Sequence, residues 1–236
     1  MRDNTVSFYD KESEQYSRKR YEGKTLSYFQ FLFKRRRQLF LELISRITDE
    51  VSGTDLLEIG CADGVIIKKL LQKLPKTFNS VVGLDVSPKM IEEARKTTQD
   101  SRVKYYLRGE EPRLIYGLVI ELGVHAQQFE NEMVFVNDNL HGNGYFIYST
   151  AGKDSLHARI KLGGKDYVTD YMSYSKYEEI IKKYFSIVFV EPYGFFVPKL
   201  WALPRLARFV QPIFEMVFKN VFPDLFHEKI YLLRKK

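Results

Sequence analysis

The chain has 236 residues, 44% of them hydrophobic and 28% charged, enough for one sizeable core and close to globular averages. One cysteine, Cys61, excludes a disulfide framework and a zinc site of paired cysteines, and four histidines without ligand spacing argue against a structural metal. The net charge of +7, densest at Lys34-Arg35-Arg36-Arg37 after Arg18-Lys19-Arg20, permits an anionic partner without demanding one. Met1 to Tyr21 lacks the apolar core of a signal peptide, and no window approaches the ~18 apolar residues of a membrane span, so a cytoplasmic location is expected.

With no internal repeat and no linker, residues 1–236 read as one domain: 1–50 as an N-terminal part, 51–152 as a core, and 153–236 as the remainder. Residues 1–27 are polar and aromatic, and the spacing of Tyr9, Tyr16 and Tyr21 predicts partly ordered turns. From Leu26 to Ile47, Phe29, Leu32, Phe33, Phe40, Leu43, Ile44 and Ile47 recur at helical spacing, which predicts an amphipathic helix with its basic run on the opposite face. Strands follow at Asp55–Gly60, Ser80–Leu84, Val103–Leu107, Leu118–Gly123 and Gly144–Ser149, the last after a turn at residues 140–143. Helices fall between them at Val65–Leu74, Pro88–Thr97 (capped by Ser87) and Gln127–Asn139. That alternation predicts parallel strand–helix–strand units in an open, doubly wound α/β sheet. Ser175–Tyr184 reads as a helix and Ile187–Glu191 as a strand; an aromatic stretch over 192–226, whose prolines predict short broken helices, precedes a last strand at Lys229–Leu233.

The chemistry concentrates in Leu57-Glu58-Ile59-Gly60-Cys61-Ala62-Asp63-Gly64, directly before a helix. Small residues at 60, 62 and 64 allow a sharp turn and close approach of a ligand to the main chain, and the helix N-terminus adds donors. Asp85, closing the next strand, suits the two hydroxyls of a ribose. No Gly-Lys-Ser/Thr phosphate loop is present, and Glu58, two residues before Gly60, would repel a pyrophosphate. A ligand with a cationic amine and a sulfonium fits better, which favours S-adenosylmethionine over a dinucleotide.

On these residues the sequence resembles the class I S-adenosylmethionine-dependent methyltransferases, over roughly residues 54–150. Leu57–Gly64 resembles the family's first motif, and Val82–Met90, with Asp85, its ribose-binding motif. Arg108-Gly109-Glu110 sits where the family often has Gly-Asp facing the adenine amino group; Tyr116–Leu122 resembles the fourth-strand motif and 140–144 the turn before the fifth strand. The resemblance implies a Rossmann-like seven-stranded sheet with an antiparallel last strand, an N-terminal helical lid and a helical insertion over 192–226. It further implies a cofactor site of Tyr16, Arg20, Glu58, Gly60, Cys61, Ala62, Gly64, Asp85, Val86, Met90, Gly109, Glu110 and Leu122. In it Arg20 pairs the methionine carboxylate, and backbone near Gly60 and Leu122 holds the amine. Two departures are plain: Gly117 stands where an aspartate is usual, and the segment from Glu110 to Leu118 is too short for the helix that commonly covers adenine.

His125, after the fourth strand, is placed to take a proton from an acceptor hydroxyl, an unperturbed imidazole titrating near ~6.5. A polar loop residue is the plainer reading of it. The leading expectation is methyl transfer, with S-adenosylhomocysteine as product, to a small-molecule or lipid-linked acceptor, at oxygen, with peripheral membrane contact through the basic, aromatic insertion. An RNA or protein methyltransferase is the alternative, disfavoured because Glu121-Leu-Gly-Val-His125 replaces the motif that serves planar amines and no nucleic-acid module is visible; DNA is not expected. A non-catalytic S-adenosylmethionine-binding domain is a third reading.

Overall fold

The computed structural model describes residues 2–124, 128–160 and 171–236. Before the sheet come helices α1 (Arg2–Glu12), α2 (Tyr16–Arg20), α3 (Tyr28–Arg46) and α4 (Thr48–Val51). The alternating part is β1 (Thr54–Ile59), α5 (Val65–Lys73), β2 (Phe78–Asp85), α6 (Pro88–Thr97), β3 (Val103–Leu107), β4 (Tyr116–Leu122), α7 (Phe129–Asp138) and β5 (Leu140–Ala151). Then follow α8 (Leu156–Arg159), α9 (Tyr174–Tyr184), β6 (Phe185–Tyr193), α10 (Pro204–Phe218) and β7 (Glu228–Lys235). The strands form one sheet in the order β3-β2-β1-β4-β5-β7-β6. β1 to β5 pair in parallel, and β7 lies antiparallel between β5 and β6.

Both sheet faces are covered, which is why β1 and β4 read as near-continuous apolar runs. Leu56 and Ile120 pack under α3 and α5 on one face, while Leu57 and Val119 pack under α7 and α9 on the other. Strand order reverses between β1 and β4, and the crevice outside the carboxyl ends of strands at such a point is where open α/β sheets hold ligands.

Four expectations need correction. The N-terminal segment is helical, as the resemblance implies, and not the partly ordered turns that its tyrosine spacing predicts, because α1 packs on α6 and α2 on α3. The basic run of α3 is not all on its outer face: Arg36 is buried. The 140–143 turn is absorbed into β5, where the pairing with β4 shifts register between Tyr116 and Leu118. The insertion holds one 15-residue helix, with Pro204 at its first turn and Pro212 inside it. Pro212 is exposed, so water can satisfy the carbonyl it leaves unpaired. No helix is long and apolar enough to cross a membrane among the described residues.

Candidate functional site

The glycine loop is tied to the end of β2. The Gly60 and Cys61 amides both donate to the Leu84 carbonyl, at 2.7 and 2.9 Å. The loop reverses direction through positive φ at Gly60 (71°), Ala62 (48°) and Gly64 (76°), after which α5 begins. A Cβ at Gly60 would lie 2.2 Å from Val124 Cγ2, so the loop and the residues after β4 close on one another there. Asp85 holds this turn: Oδ2 accepts from the Ala62 amide and Oδ1 from the Ser87 amide, each at 2.9 Å. A carboxylate has about four acceptor directions, so two remain for hydroxyl donors.

Three buried acids share this end of the sheet. Burial raises the Glu58 carboxyl well above the ordinary carboxylate range, and Asp85 and Asp63 push it further. Burial also raises Asp63 and Asp85, against backbone amides that pull both down. Glu58 Oε2 and Asp63 Oδ1 are buried with no hydrogen-bond partner among the described residues. Such a site repels a pyrophosphate and gains from a cationic ligand, and a buried oxygen without a donor is where an ammonium can bind. The residues present therefore fit S-adenosylmethionine: Asp85 for the ribose, the loop backbone beneath it, and the acids beside its positive charges.

The helical N-terminus is fastened over this loop. The Ser17 amide donates to Asp63 Oδ2 at 3.0 Å, and the Ser87 hydroxyl, which caps α6 by accepting from the Met90 amide, donates to Asp10 Oδ1 at 2.5 Å. Tyr16 lies under the Arg20 guanidinium at 4.1 Å, but that cation is tied to Glu12 at 3.1 Å, so pairing with a methionine carboxylate requires it to change partner.

The structure brings together Tyr16, Glu58, Gly60, Ala62, Gly64 and Asp85. Val86 is exposed just beyond them, Leu122 is half-buried at the end of β4, and Gly109 and Glu110 form an exposed turn after β3. The Cys61 and Met90 side chains instead face the core, so only their backbone can meet a ligand. His125 lies outside the described residues. No group of acids, histidines and cysteine suited to a metal occurs among the described residues.

Sequence reasoning missed the far half of the site, over β4 to β7. Arg36 donates from Nε to Glu228 Oε2 (2.9 Å) and Tyr193 Oη (3.1 Å), and from Nη2 to Glu228 Oε1. Its guanidinium fills the space a Cβ at Gly123 would occupy, at 2.3–2.5 Å. Burial works against the Glu228 charge, yet the guanidinium holds this carboxyl below the ordinary range. The signal was present: residue 36 falls four residues from both Leu32 and Phe40 on the apolar stripe.

Next to this pair, His157 and His227 stack with centroids 4.1 Å apart. The Tyr28 hydroxyl gives its proton to the Gly194 carbonyl (2.7 Å), so the 3.1 Å contact with His227 Nδ1 has that nitrogen donating, which leaves Nε2 as an acceptor. Burial lowers both imidazoles, His227 to about 3, so both are neutral at pH 7. No spacing rule connects residues 28, 157 and 227; the β5–β7 pairing and the packing of α3 on β7 do.

A family model described as a methyltransferase domain matches residues 57–114, the span of the glycine loop and Asp85. No curated protein matches the chain. Among solved structures, the magnesium protoporphyrin IX methyltransferase of Synechocystis PCC 6803 with bound S-adenosylhomocysteine is similar at a TM-score of 0.67 and 15% identity, over 98% of each chain. An S-adenosylmethionine-dependent methyltransferase from Mesorhizobium loti is similar at a TM-score of 0.58 and 17% identity, over 82% of this chain and 96% of that one. The cyclase SpnF is similar at a TM-score of 0.63 and 14% identity, over 98% of this chain and 94% of that one.

Proposed function

We propose that this chain is a class I S-adenosylmethionine-dependent methyltransferase that transfers a methyl group to a hydroxyl oxygen of a hydrophobic small-molecule or lipid-linked acceptor. When bound, S-adenosylmethionine supplies a methyl on a sulfonium, an activated leaving group, so the protein's work is alignment and exclusion of water. Asp85 and the loop hold the cofactor, with Glu58, Asp63 and the N-terminal helices closing over it.

The observation that carries the acceptor reading is the neutral histidine pair at the carboxyl ends of the strands, walled by Tyr28, Phe29 and Phe196. A neutral imidazole can take the proton that a hydroxyl loses as its oxygen forms the new bond to carbon. His157, the half-buried member of the pair, is the candidate base, and His125 is the alternative. The aromatic wall fits an apolar acceptor body, and the Synechocystis relative is named for magnesium protoporphyrin IX, itself a small molecule.

Calorimetric titration with S-adenosylmethionine and S-adenosylhomocysteine tests the cofactor half: micromolar binding is expected, lost in Asp85→Ala. Radiolabelled methyl transfer to hydroxylated hydrophobic acceptors tests the rest. His157→Gln should lower kcat about 10²–10⁴-fold with cofactor affinity unchanged. Full turnover in His157→Gln with loss in His125→Gln moves the base to His125. Cofactor binding without turnover of any hydroxyl acceptor refutes the oxygen reading.

A further inference from the structure

An amphipathic helix in water turns its apolar stripe to the core. Helix α10 does the reverse. Its inner stripe is Ala207, Gln211 and Glu215, all buried. Glu215 Oε1 accepts from the Gly194 amide (2.8 Å) and the Phe195 amide (3.2 Å), Gln211 Nε2 donates to the Phe195 carbonyl, and Arg35 stands 3.7 Å from Glu215 Oε2. These bonds to the chain after β6 fix the helix with its polar side inward. The outward stripe is then Leu206, Phe209, Ile213, Met216 and Val217, at i, i+3, i+7, i+10 and i+11, with Phe209 74% and Met216 66% exposed. Leu203, Val221 and Phe222 extend it at both ends. A continuous apolar surface of this kind on a folded chain marks an interaction site.

Its rim is cationic. Residues 198–222 contain Lys199, Arg205, Arg208 and Lys219 against one acid, the buried Glu215. On α3, Lys34 stands near both Arg37 and Arg208, and after burial both arginines lower its pKa. The acids nearby are engaged: Glu191 pairs with Lys219 at 2.8 Å, and Asp224 with Lys229 at 2.7 Å. A second copy docked on the same face would bring only this cation-rich rim against itself, with no free acid to neutralise Arg205 and Arg208. An anionic lipid surface neutralises them while the stripe enters the acyl boundary.

We propose that α10 docks flat on an anionic bilayer, its apolar stripe inserted and its basic rim on the headgroups. The surface stands apart from the methyl acceptor, and its test reads binding alone. The full chain is floated with phosphatidylglycerol–phosphatidylcholine vesicles and with phosphatidylcholine vesicles, and the emission of Trp201, the only tryptophan, just before α10, is followed in parallel. Binding to the anionic vesicles is expected, with weak binding to the neutral ones. Phe209→Glu/Met216→Glu should lower the partition coefficient at least tenfold with an unchanged melting temperature. Arg205→Gln/Arg208→Gln should lower it roughly 30-fold on anionic vesicles, at about fivefold per cation removed. No flotation of the native chain with anionic vesicles overturns the proposal. So does sedimentation as a dimer that Phe209→Glu/Met216→Glu converts to monomer, which would assign the face to a second copy.

Discussion

Replacing Arg36 by methionine keeps most of the side-chain volume and removes the guanidinium that three buried hydrogen bonds converge on. Glu228 is then left in the interior with the Tyr193 hydroxyl as its donor. Removing one member of a buried ion pair costs about 3–5 kcal/mol, a large share of the ~5–15 kcal/mol that holds a typical domain folded. At about 2–4 °C per kcal/mol for this chain length, calorimetry should find the variant melting about 6–20 °C below the native chain at pH 7. In the native protein the Glu228 pKa is depressed, so its contribution is complete above the ordinary carboxylate range and is lost as pH falls through the folded value. In Arg36→Met the carboxyl has lost its cation and burial dominates, so the deficit should shrink on going from pH 7 to pH 5. Arg36→Met/Glu228→Gln should recover most of the lost stability, because the uncompensated charge is gone. A single variant melting within about 2 °C of the native chain, or a double variant less stable than the single at pH 7, would refute this account.

Glu121→Gln should raise the melting temperature at pH 7 and leave it unchanged near pH 4. Burial and Glu132 raise the Glu121 pKa against the pull of Arg108, so its stability contribution is full at low pH and is lost as pH rises. Equal melting of variant and native chain at pH 7 would show the carboxyl is satisfied there. His227→Phe keeps the ring stack and should flatten the acid limb of stability, followed by urea unfolding across pH. With a folded pKa of about 3 against ~6.5 unfolded, the native histidine loses stability as pH falls through that window, at up to ~1.4 kcal/mol per pH unit. An unchanged acid limb would exclude His227 as its source. Gly60→Ala places a Cβ at φ 71° and 2.2 Å from Val124 Cγ2, so a loss of about 1–2 kcal/mol from backbone strain alone is expected, together with weakened S-adenosylmethionine binding by calorimetry. Native-like binding in that variant would mean the loop is not the cofactor cradle.

The near half of the site was legible because its logic is local. Gly60, Ala62 and Gly64 turn a strand into a helix within five residues, and Asp85 ends the next strand, so a short stretch of chain fixes both. The parallel order of the first strands was legible for a similar reason, since apolar runs separated by helices leave few ways to cover both faces. The N-terminal helices were legible through the resemblance but not in the residue spacing: their polar sequence is fastened by Asp63 and Ser87, 46 and 77 residues away. Arg36 reads as one more cation in a basic run until β7 places Glu228 under it. The stacked His157 and His227 lie 70 residues apart and meet only because β7 returns antiparallel beside β5. The sequence of α10 shows an apolar stripe and a polar one but not which faces inward, because that is set by amides of residues 194 and 195 binding Glu215. The sequence by itself determined the elements and the acid-lined cofactor loop, whose residues are neighbours in the chain. Tertiary structure alone decided the buried ion pair, the histidine pair and the outward face of α10, because each depends on groups that only long-range strand pairing and packing bring into contact.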